Sequence, residues 1–457
     1  MPTYPPGPKG TFFGATLARR FRTDPLGFIT ELGRDYGDLA YARMGPVRAY
    51  FAVHPDLIRE VLVTKNKSFR RPQWMMRPLS KIDGNGLVLS DGPVWLRQRR
   101  LVQPAFSPKR FEGYAQMMVD GTQRMLRRWS DQPTFDMVDE MTRLTLEIIA
   151  KTLFDVELGD QTAKLGNAVR TFSQAFVREA GNPFRLPDWV PTAHNRRKRE
   201  AIRTVDTLVR GFIRDRRASG KDQGDLLSML LLAVDEEGDG RGMTDEQARD
   251  EAVTLFNAGH DSTAAALAWT WYLIAKHPDV ERKLVEESDR VLAGRQAAYA
   301  DVAELQDTEM VVKESMRLYP PTWILIPRET IEPIELGGYE IPRGSWIYTM
   351  PWATHRHPRF FADPERFDPE RFGPERIGQI PQYAYFPFGG GPRVCIGNTF
   401  ATMEMILIVA SVLQAYRVRL AEGQADVEPE PLIAIRPKGG LRMSLDRRSE
   451  PAYAERT

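Results

Sequence analysis

Cysteine is almost missing from this chain: among 457 residues there is one, Cys395. An intramolecular disulfide and a cysteine-rich zinc site are thereby excluded, which suits a reducing compartment. Charge of one sign is also missing, because 63 Lys and Arg stand against 61 Asp and Glu for a net charge of +2. That balance gives no global argument for a nucleic-acid partner or an anionic membrane, and none is expected; local basic patches are a separate matter. The N-terminal run Met1 to Gly10 has neither a signal-peptide core nor the roughly 20 apolar residues of a membrane span. A cytoplasmic protein without a transmembrane anchor is expected. No internal repeat and no Gly-, Ser- or Pro-rich linker divides the chain, so residues 1–457 read as one large domain.

What is present is mostly helical patterning. Pro25 to Gly37 repeats at helical spacing ahead of two strand-like runs, Asp38 to Ala42 and Ala49 to Val53. Between about Phe111 and Leu230 helical periodicity dominates, as in Met141, Leu144, Ile148, Ile149 and Leu153. Prolines interrupt it from Asn182 to Pro191, an apolar loop that either shapes an entrance or simply connects. The acidic, Gly-rich stretch Asp235 to Gly242 predicts a surface loop, and Thr244 with Gln247 predicts a capping box. The proline-free run to Lys276 then predicts a helix of about 32 residues, nearly 50 Å long at about 1.5 Å per residue. A further helix should stop at Pro320-Pro321, short strands should flank Gly337-Gly338, and Gly439-Gly440 should turn a final hairpin. The fold class is therefore predominantly α with small β-sheets.

Cys395 lies in Phe386-Pro-Phe-Gly-Gly-Gly-Pro-Arg-Val-Cys-Ile-Gly397, directly before the apolar helical pattern Asn398 to Tyr416. A lone cysteine is often a small core hydrophobe. Beside Arg393 and a helix N-terminus, however, the thiolate is favoured, and a thiolate is a soft anionic metal ligand. Gly389, Gly390 and Gly391 permit positive φ and the close approach of a flat group, and Gly397 lets the next helix pack nearby. The spacing of Phe388, Gly391, Arg393, Cys395 and Gly397 resembles the haem-binding signature of the cytochrome P450 family. The resemblance extends from about Trp95 to the C-terminal region and implies the cytochrome P450 fold, with Cys395 ligating the iron of heme b (iron protoporphyrin IX). Phe388, Gly389, Arg393 and Gly397 would line the cofactor.

The small and polar run Ala258-Gly-His-Asp-Ser-Thr263 interrupts the long apolar helix. Absence of a side chain at Gly259 would let a ligand approach the backbone, and the hydroxyls can bond carbonyls one turn back. The run resembles the family's oxygen-activation segment, which implies a proton relay through Asp261 and Ser262, with Ala258 against the cofactor. Serine stands where the family usually has threonine, and Thr263 is the rival alcohol. His260 next to a helical glycine reads as a packing residue.

Glu314 and Arg317 are three apart on one helical face, a spacing common to solvated ion pairs. The resemblance instead makes them structural, joined by an arginine from a later Pro-Glu-Arg-Phe run. Arg366 and Arg371 compete for that place, and proximity to Cys395 in the chain favours Arg371. Trp95, Arg99, Arg328 and Arg393 match the family's propionate partners. Val88, Thr322, Trp323, Ile324 and Ile433 match its substrate contacts. Phe172 and Phe176, four apart, would either roof a pocket or fill a core.

The function implied is a haem-thiolate monooxygenase that uses O2 to insert one oxygen atom into a lipophilic molecule such as a fatty acid or terpenoid. NAD(P)H-derived electrons would arrive from a separate ferredoxin or flavodoxin with its reductase, because the family-like region fills the chain. The cluster Arg97, Arg100, Lys109 and Arg110 is expected to help dock an acidic donor. A peroxide-driven peroxygenase would not need Asp261 and Ser262, and a haem sensor or carrier would need neither the relay nor a substrate pocket.

Overall fold

In the computed structural model, residues 4–130, 134–157, 159–179, 187–424 and 426–448 are described. In chain order the helices are α1 Ala15–Thr23, α2 Pro25–Asp35, α3 Pro55–Arg59, α4 Gln73–Met76, α5 Ser80–Asp83, α6 Gly92–Val102, α7 Pro108–Trp129 and α8 Met137–Phe154. They continue as α9 Asp160–Glu179, α10 Ala193–Ser219, α11 Leu226–Leu232, α12 Asp245–Lys276, α13 Pro278–Leu292, α14 Gln306–Leu318, α15 Pro351–Thr354 and α16 Asn398–Ala415. The strands are β1 Leu39–Met44, β2 Val47–Ala52, β3 Phe69–Arg70, β4 Thr134–Asp136, β5 Arg328–Thr330 and β6 Ile334–Leu336. After them come β7 Tyr339–Ile341, β8 Trp346–Thr349, β9 Tyr416–Leu420, β10 Pro429–Pro431, β11 Ile435–Pro437 and β12 Arg442–Arg447.

The chain forms two compact units. The first comprises Met1–Trp74, Met310–Asn398 and Pro429–Arg436. Its five-stranded sheet runs β1-β2-β8-β5-β3, parallel only between β2 and β8. Tyr50, Ile58, Val61, Leu336, Ile341 and Ile347 are fully or almost fully buried against it. Gly337-Gly338 turns the β6–β7 hairpin, as the sequence predicts. Phe386, at the root of the cysteine loop, belongs to the same apolar cluster, so the sheet anchors that loop.

The second unit comprises Met75–Glu309, Thr399–Glu428 and Pro437–Thr457. Thr244 caps α12 as predicted: its hydroxyl accepts from the Gln247 N–H at 3.2 Å while the Gln247 side chain accepts from the Thr244 N–H at 3.1 Å. Beyond the run Ala258 to Thr263 the helix is buried nearly all round, from Ala264 to Ile274. Helix α8 lies alongside, where Thr145 Oγ1 donates to the His260 carbonyl at 3.0 Å. Helix α16 is long and apolar enough to span a membrane by length and composition, but 67% of it is buried inside the protein. Its Phe400 packs on Tyr114 of α7, with ring centroids 5.6 Å apart.

Two expectations change. Gly439-Gly440 does not close a hairpin, because β11 pairs with β10 whereas β12 pairs with β4 and β9. The stretch after Asp235 is a loop, but Asp235 itself is buried rather than solvated.

Candidate active site

In the first unit, Cys395 is exposed on the loop that precedes α16. Its backbone N–H donates to the Phe388 carbonyl at 3.0 Å, and Val394 N–H donates to the Gly391 carbonyl at 3.0 Å. The root of the loop is held by His355, fully buried, whose Nε2 accepts from the Phe386 N–H at 2.9 Å. Burial holds the His355 imidazole well below its usual range, with Arg317 and Arg356 adding to the effect. Sequence reading missed this histidine. Its signal was a polar aromatic in a stretch otherwise committed to packing, and only the fold shows what it holds.

Gly391 has a φ of +66°, and a Cβ there would stand 2.0 Å from the Leu62 carbonyl oxygen. That glycine therefore seats the loop on the segment at Leu62, and its role is packing within the protein. Gly389 also has positive φ, with space around it apart from Leu325 at 3.6 Å. An exposed thiol on a loop pinned at both ends suits an external soft metal, not a core-filling role. Arg393 in the same loop and Arg328 on β5 are each half-buried. The donor set thus fits a thiolate-ligated haem: one exposed sulfur for iron, and half-buried guanidinium groups of the type that pair with propionates.

The same unit contains the buried charge network. Arg317 Nε and Nη2 donate to the two Glu314 oxygens at 2.7 and 2.8 Å, and neither residue has any exposed surface. Arg371 Nε lies 3.4 Å from Glu314, whereas Arg366 offers only its carbonyl, to Arg317 at 3.1 Å. The structure therefore assigns the third position to Arg371. Desolvation holds the Glu314 carboxyl above its usual range, with Arg317, the Asp368 N–H and Arg371 offsetting only part of the rise.

Thr322, Trp323 and Ile324 come together with the segment around Ile433. Trp323 Nε1 donates to the Leu432 carbonyl at 3.0 Å, and Ile435 N–H donates to the Pro321 carbonyl at 3.0 Å. Trp323 is thus tied into this packing, while Ile433 is exposed at 44%.

In the second unit, Ala258 is exposed, Asp261 and Ser262 are half-buried, and Thr263 is buried. Ser262 Oγ donates to the Ala258 carbonyl at 2.9 Å and Thr263 Oγ1 to the Gly259 carbonyl at 3.0 Å, each one turn back. The reason for glycine at 259 differs from the sequence expectation. A Cβ there would stand 2.9 Å from Ile149 Cδ1, so the glycine admits the neighbouring helix α8 rather than a ligand. His260 is a packing residue: it is buried, and its Nδ1 lies 2.8 Å from the Phe256 carbonyl oxygen.

Trp95 and Arg99 are half-buried and one turn apart on α6. Val88 is half-buried in the segment between α5 and α6. Phe172 is a fully buried core residue of α9, and the side chain of Phe176 lies outside the described residues. The described part of the Pro-rich loop, from Pro187 onward, is polar in its anchoring: Asn195 Nδ2 donates to the carbonyls of Pro187 and Val190 at 2.9 and 3.0 Å.

The expected donor-docking cluster is corrected as well. Arg100 makes paired hydrogen bonds to Asp235 at 2.8 and 2.7 Å, and Arg97 donates to the Arg241 and Gly242 carbonyls at 3.0 and 2.9 Å. Both cations are neutralised or spent within the protein, and Arg110 lies 3.6 Å from Asp222. Lys109 is exposed.

Comparison with known proteins points one way. The cytochrome P450 family model matches residues 5–442. The cyclooctat-9-en-7-ol 5-monooxygenase of Streptomyces melanosporofaciens is 36% identical, over 87% of this chain and 86% of its own. Cyclooctatin synthase from the same organism is 37% identical, over 92% and 90%. The pentalenene oxygenase of Streptomyces avermitilis is 34% identical, over 93% of each chain. Among solved structures, the crystal structure of the cytochrome P450DA heme domain matches with a TM-score of 0.87 at 27% identity, covering 98% of this chain and 99% of that one.

Proposed function

The chain belongs to the cytochrome P450 family and is a haem-dependent monooxygenase, and from that premise we propose that it oxygenates a cyclic terpenoid hydrocarbon or an early alcohol derived from one. The observation that carries this reading is the similarity, over most of each chain, to three Streptomyces proteins named as a cyclooctat-9-en-7-ol 5-monooxygenase, a cyclooctatin synthase and a pentalenene oxygenase. A lipophilic substrate and an external source of electrons belong to the family's chemistry. Residues 1–457 act as one haem domain. A separate ferredoxin or flavodoxin, with its reductase, supplies the electrons, and the protein works in the cytoplasm; α16, the one span-length apolar helix among the described residues, is mostly buried inside the protein, as a core helix is.

Cys395 would provide the thiolate, and Trp95, Arg99, Arg328 and Arg393 would hold the propionates. When bound, thiolate-ligated haem supplies the oxygen activation and the oxygen insertion. The chain supplies placement, exclusion of water and protons. Asp261 holds the negative end of the relay and Ser262 Oγ passes the proton. Ser262 is favoured over Thr263 by accessibility, since its hydroxyl is only half-buried and keeps lone pairs to accept from water while donating to Ala258. Val88, Thr322, Ile324 and Ile433 touch the substrate. Trp323 orients its neighbours through Leu432.

Haem spin-state titration tests this directly. Cyclic diterpene and sesquiterpene hydrocarbons should shift the band, and turnover with NAD(P)H and redox partners should give mono-oxygenated product. A shift seen only with fatty acids would overturn the substrate class.

A further inference from the structure

The segment from Asp83 to Leu89 is tied to α12 by polar contacts that oxygen chemistry does not use. Asn85 N–H donates to Asp250 Oδ2 at 2.7 Å, and Leu87 N–H donates to Glu251 Oε2 at 3.1 Å. Asn257 Nδ2 donates to Asp83 Oδ1 at 3.1 Å, and from α6 Gln98 Nε2 donates to the Asn85 carbonyl at 3.0 Å. The backbone lies so close that a Cβ on Gly84 would stand 2.0 Å from the Asp250 carboxyl carbon, and one on Gly86 would stand 2.1 Å from Thr254 Oγ1. Residues 250, 254, 257 and 261 succeed one another at steps of four, three and four, which puts this seam on the same face of α12 as Asp261. Val88 is the residue after Leu87.

We propose that Asp250 and Glu251 are positioning residues for substrate selection: they clamp the segment 83–89 onto α12 and thereby set where Val88 stands. The proposal rests on the reading of Val88 as a substrate contact. Two backbone N–H groups of a loop have no helix or sheet to satisfy them, and the carboxylates take that role. The clamp is a polar seam, so loss of Glu251 leaves the buried Leu87 N–H unpaired, loss of Asp250 removes the acceptor of the Asn85 N–H, and either frees the segment.

Protonation tunes the clamp. Glu251 is fully buried, its Oε1 meets no hydrogen-bond partner among the described residues, and burial pushes its carboxyl up to about 8. Asp83 is pushed up to about 7, again chiefly by burial. The charged groups around them are Asp250 and Arg249 on α12, with Arg249 Nε also held by Asp206 of α10 at 3.0 Å. Arg249 is committed to both aspartates, so ionised Glu251 would be an unmatched anion beside Asp250. The clamp should therefore loosen as pH rises through about 8.

The test uses the haem-loaded full chain, with amide hydrogen exchange across residues 84–89 and optical titration with imidazole and with the bulkier 4-phenylimidazole. Glu251→Ala should speed exchange about tenfold and change the ratio of the two azole dissociation constants about fivefold or more, with the reduced CO spectrum unchanged. Glu251→Gln retains an acceptor for Leu87 and cannot ionise; it should hold the segment and abolish the difference in protection, that is, exchange measured relative to the intrinsic base-catalysed rate at each pH, between about pH 6 and about pH 9. Asp250→Asn provides a second variant of nearly wild-type shape and should speed exchange at Asn85. Unchanged exchange in Glu251→Ala and Asp250→Asn, or faster exchange with an unchanged azole ratio, would overturn the proposal. Azoles bind whatever the natural substrate, so a wild-type protein that binds them but no terpenoid would refute the substrate class alone.

Discussion

At the scale of single residues, the most informative group outside the reaction is Glu404. It lies in α16 with 1% exposure, and its Oε1 meets no hydrogen-bond donor among the described residues. Burial pushes the carboxyl well above its ordinary value of 4.5. The folded protein then holds a proton that the unfolded chain gives up, so stability falls as pH rises above about 4.5. Glu404→Gln should flatten that dependence and raise the melting temperature near neutral pH, measured by thermal unfolding across pH. An unchanged slope would place the proton elsewhere. Residue chemistry also separates the two alcohols of α12. Ser262→Ala should bind substrate and divert reducing equivalents to peroxide, with product formation down about 10²- to 10⁴-fold if the whole acid-base contribution is lost. Thr263→Ala, which removes a buried hydroxyl already bonded to Gly259, should lower stability and leave coupling intact. The product-to-NAD(P)H ratio decides between them, and the reverse pattern would give the relay to Thr263.

At the scale of elements, the close pair of α8 and α12 makes its own prediction. Gly259→Ala puts a methyl against the tip of a flexible isoleucine, which can turn away, and the roughly 1 kcal/mol helix-propensity gain offsets the crowding. Gly259→Val has no such escape and should cost about 1–3 kcal/mol, recovered in part by Ile149→Ala. Thermal unfolding measures both, and haem content checks the alternative. If Gly259→Ala lost haem while its apoprotein stayed stable, the glycine would serve the cofactor after all. This case also shows where reading a sequence stops. The start of α12, the β6–β7 turn and the cysteine loop were legible because each depends on residues a few positions apart: Thr244 with Gln247, Gly337 with Gly338, Phe388 with Cys395. Gly259 was legible as a special position but not for its reason, because Ile149 is remote in the chain. Arg97 and Arg100 looked like an open basic patch for the same cause, their partners lying near Asp235. The Gly439-Gly440 turn was visible, but which sheets its flanking strands join was not. His355 stood out as a polar aromatic in a packing stretch, but its partner, the Phe386 N–H, is remote in the chain.

At the scale of the whole molecule, net charge and composition say little, and stability depends on a few buried centres that join distant segments. Arg317 is the clearest. Its side chain has five N–H donors, and the structure uses five hydrogen bonds: two to the Glu314 carboxylate and one each to the carbonyls of His355, Pro364 and Arg366. One residue of α14 thus binds the end of α15 and the stretch before Arg371, while Glu314 accepts from the Asp368 N–H at 2.9 Å. The same region supports His355, which holds Phe386 at the root of the cysteine loop. Arg317→Ala leaves Glu314 charged, buried and poorly matched, at a cost of about 3–5 kcal/mol. Against a total stability of about 5–15 kcal/mol, that loss should leave little soluble, haem-loaded protein. Arg317→Lys keeps the charge but brings three donors on one nitrogen, so at least two of the five bonds are lost and rescue should fail. Arg371→Lys, whose contact with Glu314 is the longer one at 3.4 Å, should fold with only a lowered melting temperature. Expression yield, haem content and the reduced CO spectrum rank the three variants. If Arg317→Lys loaded haem as well as wild type, charge alone would suffice, and the five-donor geometry would not be what joins these segments.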